Sequence, residues 1–252
     1  MNRHLKQLIY GSVYLAILTF FGLWVYLSNF HTTPTCFDSI QNQDEEGVDC
    51  GGTCQKICLP NEFETIEVVD RVRILKVDDE HLSLLVKIQN NNIDFAAESF
   101  NYTFNIFDKS DKLITSIFGT SFIYQGEVKY IAVPNAKISP SLVARATFES
   151  SNPGWVLGEL LAKPDVAIQN QKTILDSNLI KVEGSLISHS ASTLNNIKII
   201  AIFYSQFGLP VGASQTEIEN LEPNGTRSFV INHRALEDIL TDRTQVFVFA
   251  KR

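Results

Sequence analysis

The 252-residue sequence predicts an all-β protein in which two tandem β-sandwiches follow one transmembrane α-helix and a small disulfide-rich loop. Three observations predict this: an uncharged apolar run near the start, four cysteines confined to one short segment, and alternating apolar runs that repeat over the remainder. The predicted order is a cytoplasmic leader at 1–7, a transmembrane helix at 8–28, a cysteine-rich acidic collar at 29–60, a first sandwich at 61–152, a linker at 153–162 and a second sandwich at 163–252.

The apolar run extends from Leu8 to Leu27 and contains no charged residue. A helix of these 20 residues is about 30 Å long, the thickness of the hydrocarbon core of a bilayer. Arg3 and Lys6 precede the run and acids follow it, so the positive-inside rule puts the N-terminus in the cytoplasm and the remainder outside. A cleaved signal peptide is the alternative, but it would have a shorter apolar stretch and an A-x-A-like cleavage site, which residues 26–30 lack.

The four cysteines predict two disulfide bonds in the collar. They are Cys36, Cys50, Cys54 and Cys58. An even number of clustered cysteines on the oxidising side of a membrane favours disulfides, but the sequence leaves all three pairings open. The C-x3-C-x3-C spacing of the last three would also suit zinc; the compartment favours disulfides over that alternative.

The collar is also acidic, because residues 36–58 contain five acids and one base. Short glycine-containing loops rich in oxygen ligands are typical of calcium sites. The candidate calcium ligands are Asp38, Asn42, Asp44, Glu45 and Asp49. A solvated acidic loop without a bound cation is the alternative, and calcium is the one cofactor that the sequence suggests.

The collar sequence C-F-D-S-I-Q-N-Q-D-E-E-G-V-D-C-G-G-T-C resembles a short module of many exported bacterial surface proteins. That module usually runs C-x-D-G-x-x-N-x-x-E-x-G-x-D-C-G-G-x-C, and Ser39 stands here where it has a glycine. The resemblance covers residues 36–58 and implies a bacterial cell-surface setting. It implies no activity.

Beyond Pro60 the sequence alternates apolar and polar residues with a period of two, which predicts half-buried strands. The clearest runs are Leu82–Ile88, Phe100–Ile106, Ile197–Phe203 and Gln245–Phe249. The pattern repeats: a shift of 96 residues superposes Ile106-Phe107 on Ile202-Phe203 and Leu84 and Val86 on Ile180 and Val182. Each copy is large enough to bury its own core. Trp155 at the junction packs either between the copies or within one core.

The first copy contains a motif of known sandwich domains. It reads F-x-I-F-D at Phe104, Ile106, Phe107 and Asp108, and the second copy has a weaker counterpart around Ile202 and Phe203. This order of strands and motifs resembles FxLYD-type domains, which are related in shape to the late-embryogenesis-abundant type-2 sandwich. The resemblance implies immunoglobulin-like extracytoplasmic modules without enzymatic activity, and motif residues that lie mostly in the core.

No catalytic motif is present, and the five histidines are scattered and expected at the surface. The net charge of −7, or −9 without Arg3 and Lys6, repels phosphate backbones and argues against nucleic-acid binding. The expected function is therefore that of a non-enzymatic, membrane-anchored extracytoplasmic protein of the bacterial cell envelope, a binding arm or scaffold. Its expected partners are the membrane and another envelope protein or a wall polymer. A mechanical spacer and an envelope hydrolase are the alternatives.

Overall fold

The computed structural model describes residues 3–29, 35–60, 62–237 and 239–251. The chain divides into two compact units, residues 1–62 and 63–252. The first unit contains one helix and the collar, and the second contains antiparallel sheets. The predicted all-β fold class, with one apolar helix, a disulfide-bonded loop and tandem sandwiches, is confirmed.

Helix α1 extends from Arg3 to Asn29. Its segment Arg3–Leu27 has a mean hydropathy of 1.9 and is long and apolar enough to cross a membrane. Large apolar side chains are exposed around the helix, including Phe20 and Trp24. A helix that is apolar on all sides is stable where something other than water covers it. The same properties fit a signal sequence, so both alternatives from the sequence remain.

The first sandwich contains eight strands: β1 Glu67–Val68, β2 Arg73–Lys76, β3 Leu82–Gln89, β4 Phe95–Phe107, β5 Leu113–Ile123, β6 Val128–Ala136, β7 Arg145–Ser151 and β8 Trp155–Leu157. In one sheet, β3 pairs antiparallel with β1, β2 and β6, and in the other β4 pairs with β5, β7 and β8. The two sheets enclose a core in which Phe104 and Ile106 of β4 lie with Leu84 and Val86 of β3.

The second sandwich contains six strands: β9 Val166–Leu175, β10 Leu179–Ser188, β11 Leu194–Tyr204, β12 Pro210–Leu221, β13 Thr226–Arg234 and β14 Gln245–Lys251. Strand β10 pairs with β9 and β13, and β11 pairs with β12 and β14. Its core contains Ile180 and Val182 of β10 together with Ile199 and Phe203 of β11. The strand order thus repeats that of the first sandwich.

A third apolar cluster joins the two sandwiches, and we call it the seam. Its buried members are Leu75, Leu85, Ala132, Ile200, Ile202, Ala213 and Phe249. The first three belong to the β1–β2–β3–β6 sheet and the last four to the β11–β12–β14 sheet, so these two inner sheets face each other. Strand β12 lies against β2, β3 and β6. Residues 63–252 therefore form four stacked sheet layers, with an inner pair covered on both faces.

The seam corrects the register of the repeat in one strand. The 96-residue shift pairs Ile106 with Ile202, but Ile106 lies inside the first sandwich and Ile202 lies in the seam. Phe203 occupies the interior position that corresponds to Ile106, so the shift in this strand is 97 residues. Adding one residue to a strand register moves every side chain to the other face, which is why the pairing of Ile106 with Ile202 was wrong.

Part of the segment expected as a linker, 153–162, belongs to the first sandwich. Strand β8 lies within it and pairs with the beginning of β4. The Trp155 ring stacks on Phe63 at a centroid distance of 5.2 Å and packs against the core of the first sandwich. Of the two positions open to Trp155 from the sequence, the structure shows the core position.

Only part of the F-x-I-F-D motif lies in the core of the first sandwich. Phe104 and Ile106 are fully buried, whereas Phe107 is half-buried and faces away from that core. The Arg145 guanidinium lies 3.9 Å from the centre of the Phe107 ring. The expectation of a core position was therefore wrong for Phe107, because alternate residues of a strand point to opposite faces. Asp108 forms the following turn and accepts hydrogen bonds from the Ser110 and Lys112 N–H groups.

The two motif phenylalanines give a matched test of this assignment. Phe104→Ala is expected to lower the free energy of unfolding by about 3–5 kcal/mol, because it leaves a cavity in a filled core. Phe107→Ala should cost about 1 kcal/mol, since it removes mainly a cation–π contact. Thermal unfolding of the full chain in detergent should show a melting temperature lowered by roughly 6–20 °C for the first and 2–4 °C for the second. Equal losses would contradict the assignment.

Candidate functional site

The collar is held by two disulfide bonds, as predicted, and the structure resolves their pairing. Cys36 is bonded to Cys54, and Cys50 is bonded to Cys58. No free cysteine remains among the described residues. The two bonds close overlapping loops in a segment that has little regular secondary structure, so they stabilise it in place of a hydrophobic core.

Three backbone positions explain the residue pattern of the collar. Gly51 and Gly52 have φ angles of +73° and +58°, and a Cβ atom on Gly52 would overlap the Asp44 carbonyl. Ser39 has a φ of +60°. Left-handed backbone of this kind favours glycine, so Ser39 stands at a position that a glycine would occupy without strain.

The collar acids accept hydrogen bonds from the backbone. Asp49 accepts from the N–H groups of Asp38 and Ser39, at 3.0 and 3.1 Å from its Oδ1 atom. Glu45, which is buried, accepts from the N–H groups of Asn42 and Asp49. Hydrogen bonds from the Thr35 N–H and then from Asn42 hold the pKa of Asp38 below its usual value. These carboxylates thus fix the loop conformation.

The predicted calcium ligands are only partly brought together. Asp38 contacts Asn42 and Asp49, and Glu45 contacts the backbone of Asn42 and Asp49. Within the described residues, the cluster with metal-ligand spacing is Cys36, Glu45 and Cys54. Both sulfurs in it are in a disulfide and lack the thiolate charge that binds a metal. Calcium binding stays a prediction.

The disulfide pairing can be tested with a single substitution. Cys58→Ser should leave one free thiol, at Cys50, because the Cys36–Cys54 bond is independent of it. The full chain would be denatured without reductant, alkylated with N-ethylmaleimide, and then reduced, alkylated with iodoacetamide and sequenced by tandem mass spectrometry. The maleimide should be found on Cys50 alone, and on no cysteine of the unaltered chain. Maleimide on Cys36 or Cys54 would contradict the pairing.

A cleft of about 400 Å³ opens at one end of the seam, and we call it the histidine cleft. The β2–β3 hairpin and the end of β6 contribute one side, and β12, β13 and the β9–β10 hairpin contribute the other. Its ionisable residues are Asp78, His81, His233 and Arg234. The stacking of the two sandwiches therefore creates a polar cleft that neither sandwich has alone.

Asp78 is the centre of the charge network in this cleft. Its Oδ1 atom lies 2.9 Å from His81 Nδ1, and its Oδ2 atom lies 2.9 Å from an Arg234 guanidinium nitrogen of the other sandwich. Hydrogen bonds from His81 and from the backbone N–H groups of the turn lower the pKa of Asp78 to about 2. The carboxylate is thus charged at all physiological pH values and links the two sandwiches across the end of the seam.

His233 is buried, so the expectation that it lies at the surface was wrong. It follows Phe229 and Ile231 on the inward face of β13 and is 6% exposed. Its Nδ1 atom donates to the Arg234 carbonyl at 2.6 Å, while its Nε2 atom is buried without a hydrogen-bond partner. Burial lowers the pKa of His233, and the bond to the Arg234 carbonyl opposes the shift only in part. The imidazole is therefore neutral near pH 7.

The histidine cleft lacks an activated nucleophile among the residues that the structure describes. The Ser83 hydroxyl accepts from the Asn135 N–H, and the Ser214 hydroxyl donates to the Asn232 carbonyl. Neither is hydrogen-bonded to His81 or His233, as a serine hydrolase would require. The arrangement can bind polar groups, but it does not form the constellation of an acyl-transfer enzyme.

Comparison with known proteins gives no family. No protein-family model and no curated protein matches this chain. Among solved structures, it is similar to red sea bream transglutaminase (10% identity, TM-score 0.22, 71% of this chain and 31% of that one). It is also similar to a β-glucuronidase of glycoside hydrolase family 2 (12% identity, TM-score 0.22, 87% and 29%). The 11S allergen from Cocos nucifera is 7% identical, with a TM-score of 0.11, over 73% of this chain and 91% of that one.

The chain thus spans about a third of the length of the first two proteins, 31% and 29%. TM-scores of 0.22 and below carry no argument about fold or activity.

The burial of His233 predicts a pH dependence of stability. Unfolded histidine takes up a proton near pH 6.5, whereas folded His233 resists protonation because its pKa is lowered. Its contribution is therefore complete above about pH 6.5 and is lost as the pH falls towards the folded pKa, by at most about 1.4 kcal/mol per pH unit. His233→Leu should remove this component from melting curves of the full chain between pH 7.5 and 5.

His189→Asn is the matched control, because the His189 side chain is 53% exposed. It should retain the acid destabilisation of the unaltered chain. An unchanged pH dependence in His233→Leu would contradict the role of the buried imidazole.

Proposed function

We propose that this protein is a membrane-anchored, non-enzymatic binding arm or scaffold of the bacterial cell envelope, with its collar and sandwiches outside the membrane. The observation that carries the proposal is the stack of two filled sandwiches on a chain that begins with an all-round apolar helix. The two disulfides support an oxidising compartment. The basic leader and the acidic collar support an N-terminus inside and a C-terminal region outside.

The way the sandwiches pack favours binding over spacing. A spacer gains length when domains are joined end to end, but these two sandwiches are stacked face to face through the seam. Stacking adds little reach. It does create clefts at the ends of the seam, where each sandwich supplies part of the lining. A mechanical spacer remains the alternative function and has less support.

A group of loops at one end of the first sandwich is suited to contact with a partner. The Gly126 N–H donates to the Asn92 carbonyl, and the Gly158 N–H donates to the Asp94 carbonyl, so three loops are ordered by hydrogen bonds. Ile93 and Leu160 project from these loops and are 75% and 77% exposed. Exposed apolar residues on ordered loops are common at protein interfaces.

The charge of the chain bears on the class of partner. The net charge of −7 disfavours nucleic acid, and the proposed partner is another envelope protein or a wall polymer. An anionic wall polymer would be repelled in the same way unless divalent cations bridged the two surfaces. An envelope hydrolase is a weaker candidate. The histidine cleft has converging ionisable groups, but no described hydroxyl is hydrogen-bonded to its histidines.

Photo-crosslinking of the full chain in its native membrane tests the proposal. A photoreactive amino acid would be placed in separate experiments at Ile93, at Leu160 and at Phe118, a β5 residue that is 74% exposed. A binding arm whose loop end contacts a partner should give the same discrete adduct from Ile93 and Leu160. Phe118 is the matched control of equal exposure on a sheet face, and it should not give that adduct.

The absence of a discrete adduct at all three positions would favour the spacer. A second measurement tests the compartment: protease added to intact cells should degrade residues 63–252. Complete protection of that unit in intact cells, with degradation after lysis, would overturn the extracytoplasmic assignment.

A further inference from the structure

A second cleft, of about 330 Å³, opens at the other end of the seam, and we call it the lysine cleft. It lies beside the beginning of β6 and β11 and the end of β14. Lys129 comes from the first sandwich, and Lys198 and Lys251 come from the second. Glu98 is the acid that lines it, so three lysines and one acid face this cleft on a chain with a net charge of −7.

Lys129 is buried without a described carboxylate close enough to form an ion pair with its ammonium group. The residue is 3% exposed, and its Nζ atom donates to the Phe122 carbonyl at 2.7 Å. The Phe122 and Phe249 rings lie 3.4 and 4.9 Å from the same nitrogen. An ammonium group has three N–H donors, and no carboxylate of the described residues lies within ion-pair distance of this one. A buried charge is costly without a partner of opposite sign.

The other two lysines are only weakly neutralised. Lys198 lies 3.4 Å from the Glu217 carboxylate. Lys251 lies 3.3 Å from the Glu98 carboxylate and donates to the Glu98 carbonyl at 3.1 Å, and both lysine side chains are partly exposed. Exposed ion pairs at such distances contribute little free energy and are easily broken. Both ammonium groups are therefore available to an anion that enters the cleft.

A β-bulge from each sandwich lies at this cleft. Strand β4 has a bulge between Ala97 and Phe100, which includes Glu98 and Ser99. Strand β11 has a bulge against β14 between Asn195 and Lys198, where Asn196 has a φ of +50°. Ser99 and Asn196 both line the cleft. Bulges re-aim side chains and are common beside functional sites.

We propose that the lysine cleft binds an oxyanion, the phosphate or carboxylate group of a small ligand, between Lys129, Lys198 and Lys251. The three ammonium groups supply charge, and the hydroxyl of Ser99 and the amide of Asn196 supply further hydrogen-bond donors. The inference does not depend on the proposed function or on the compartment in which the protein resides.

The pKa of Lys129 is sensitive to the charges around the lysine cleft. Burial lowers the pKa of Lys129 to about 7; Glu127 opposes this shift, and Lys198 and Lys163 add to it. A bound oxyanion would favour the charged form of the amine and would offset the repulsion from Lys198.

Isothermal titration calorimetry of the full chain in detergent tests the site, with inorganic phosphate and glucuronate as separate probes at pH 7. Sodium chloride at equal ionic strength is the reference. At least one probe should bind with saturation. Lys198→Gln and Lys251→Gln should each weaken binding about tenfold, the loss typical of a charge-assisted hydrogen bond. Lys129→Met should abolish it while retaining the apolar stem.

Lys109→Gln is the matched control, because Lys109 is exposed in the turn at the opposite end of β4, and it should bind as the unaltered chain does. Binding of phosphate alone or of glucuronate alone identifies the source of the oxyanion. The proposal is overturned if neither probe binds better than chloride, or if Lys198→Gln and Lys251→Gln both bind normally. These two exposed-lysine variants decide the question alone if Lys129→Met fails to fold.

Discussion

The apolar seam between the two inner sheets is the contact on which the rest of residues 63–252 depends. Strands β3 and β11 are buried on both faces, so separation would expose Leu85 on the first sandwich and Ile200 and Ile202 on the second. An apolar face of this kind is unfavourable in water. Both clefts lie at the ends of the seam and take their lining from both sandwiches. Their geometry therefore exists only while the sandwiches remain stacked.

How far the sequence predicts the fold depends on how many faces of a strand are buried. The apolar runs correctly located β3, β4, β11 and β14, but the half-buried face that a period of two predicts is present in β4, whereas β3 and β11 are buried on both faces. The run from Ile199 to Phe203 is apolar at every position because both faces of β11 are covered. The sequence pattern does not show which sheet covers the second face, so it did not predict the stacking of the two sandwiches. His233 had a usable signal: it continues the inward alternation of Phe229 and Ile231, a pattern that an isolated histidine does not show.

The collar shows a different limit. Residue type and compartment predict disulfides, but the choice among three pairings depends on the path of the loop, which short-range sequence patterns do not contain. The role of the collar acids is equally open from the sequence. A segment without strands or helices has many backbone N–H groups to satisfy, and Asp38, Glu45 and Asp49 accept bonds from them. Carboxylates that cap turns and carboxylates that bind a cation have the same composition, so the sequence alone could not separate the two roles.

The order of the four sheet layers affects whether further copies could stack on the outer β4 face. The β11 face that meets the first sandwich carries Ile200 and Ile202, whereas the equivalent β4 positions, 97 residues earlier, are Thr103 and Asn105. When two different faces of a molecule fit each other, molecules can add one after another and form an open filament. Polar residues on the free β4 face oppose this, as the terminal repeats of solenoid proteins do. The outer β4 face is thus more polar than its β11 counterpart and does not present a second copy of the seam surface.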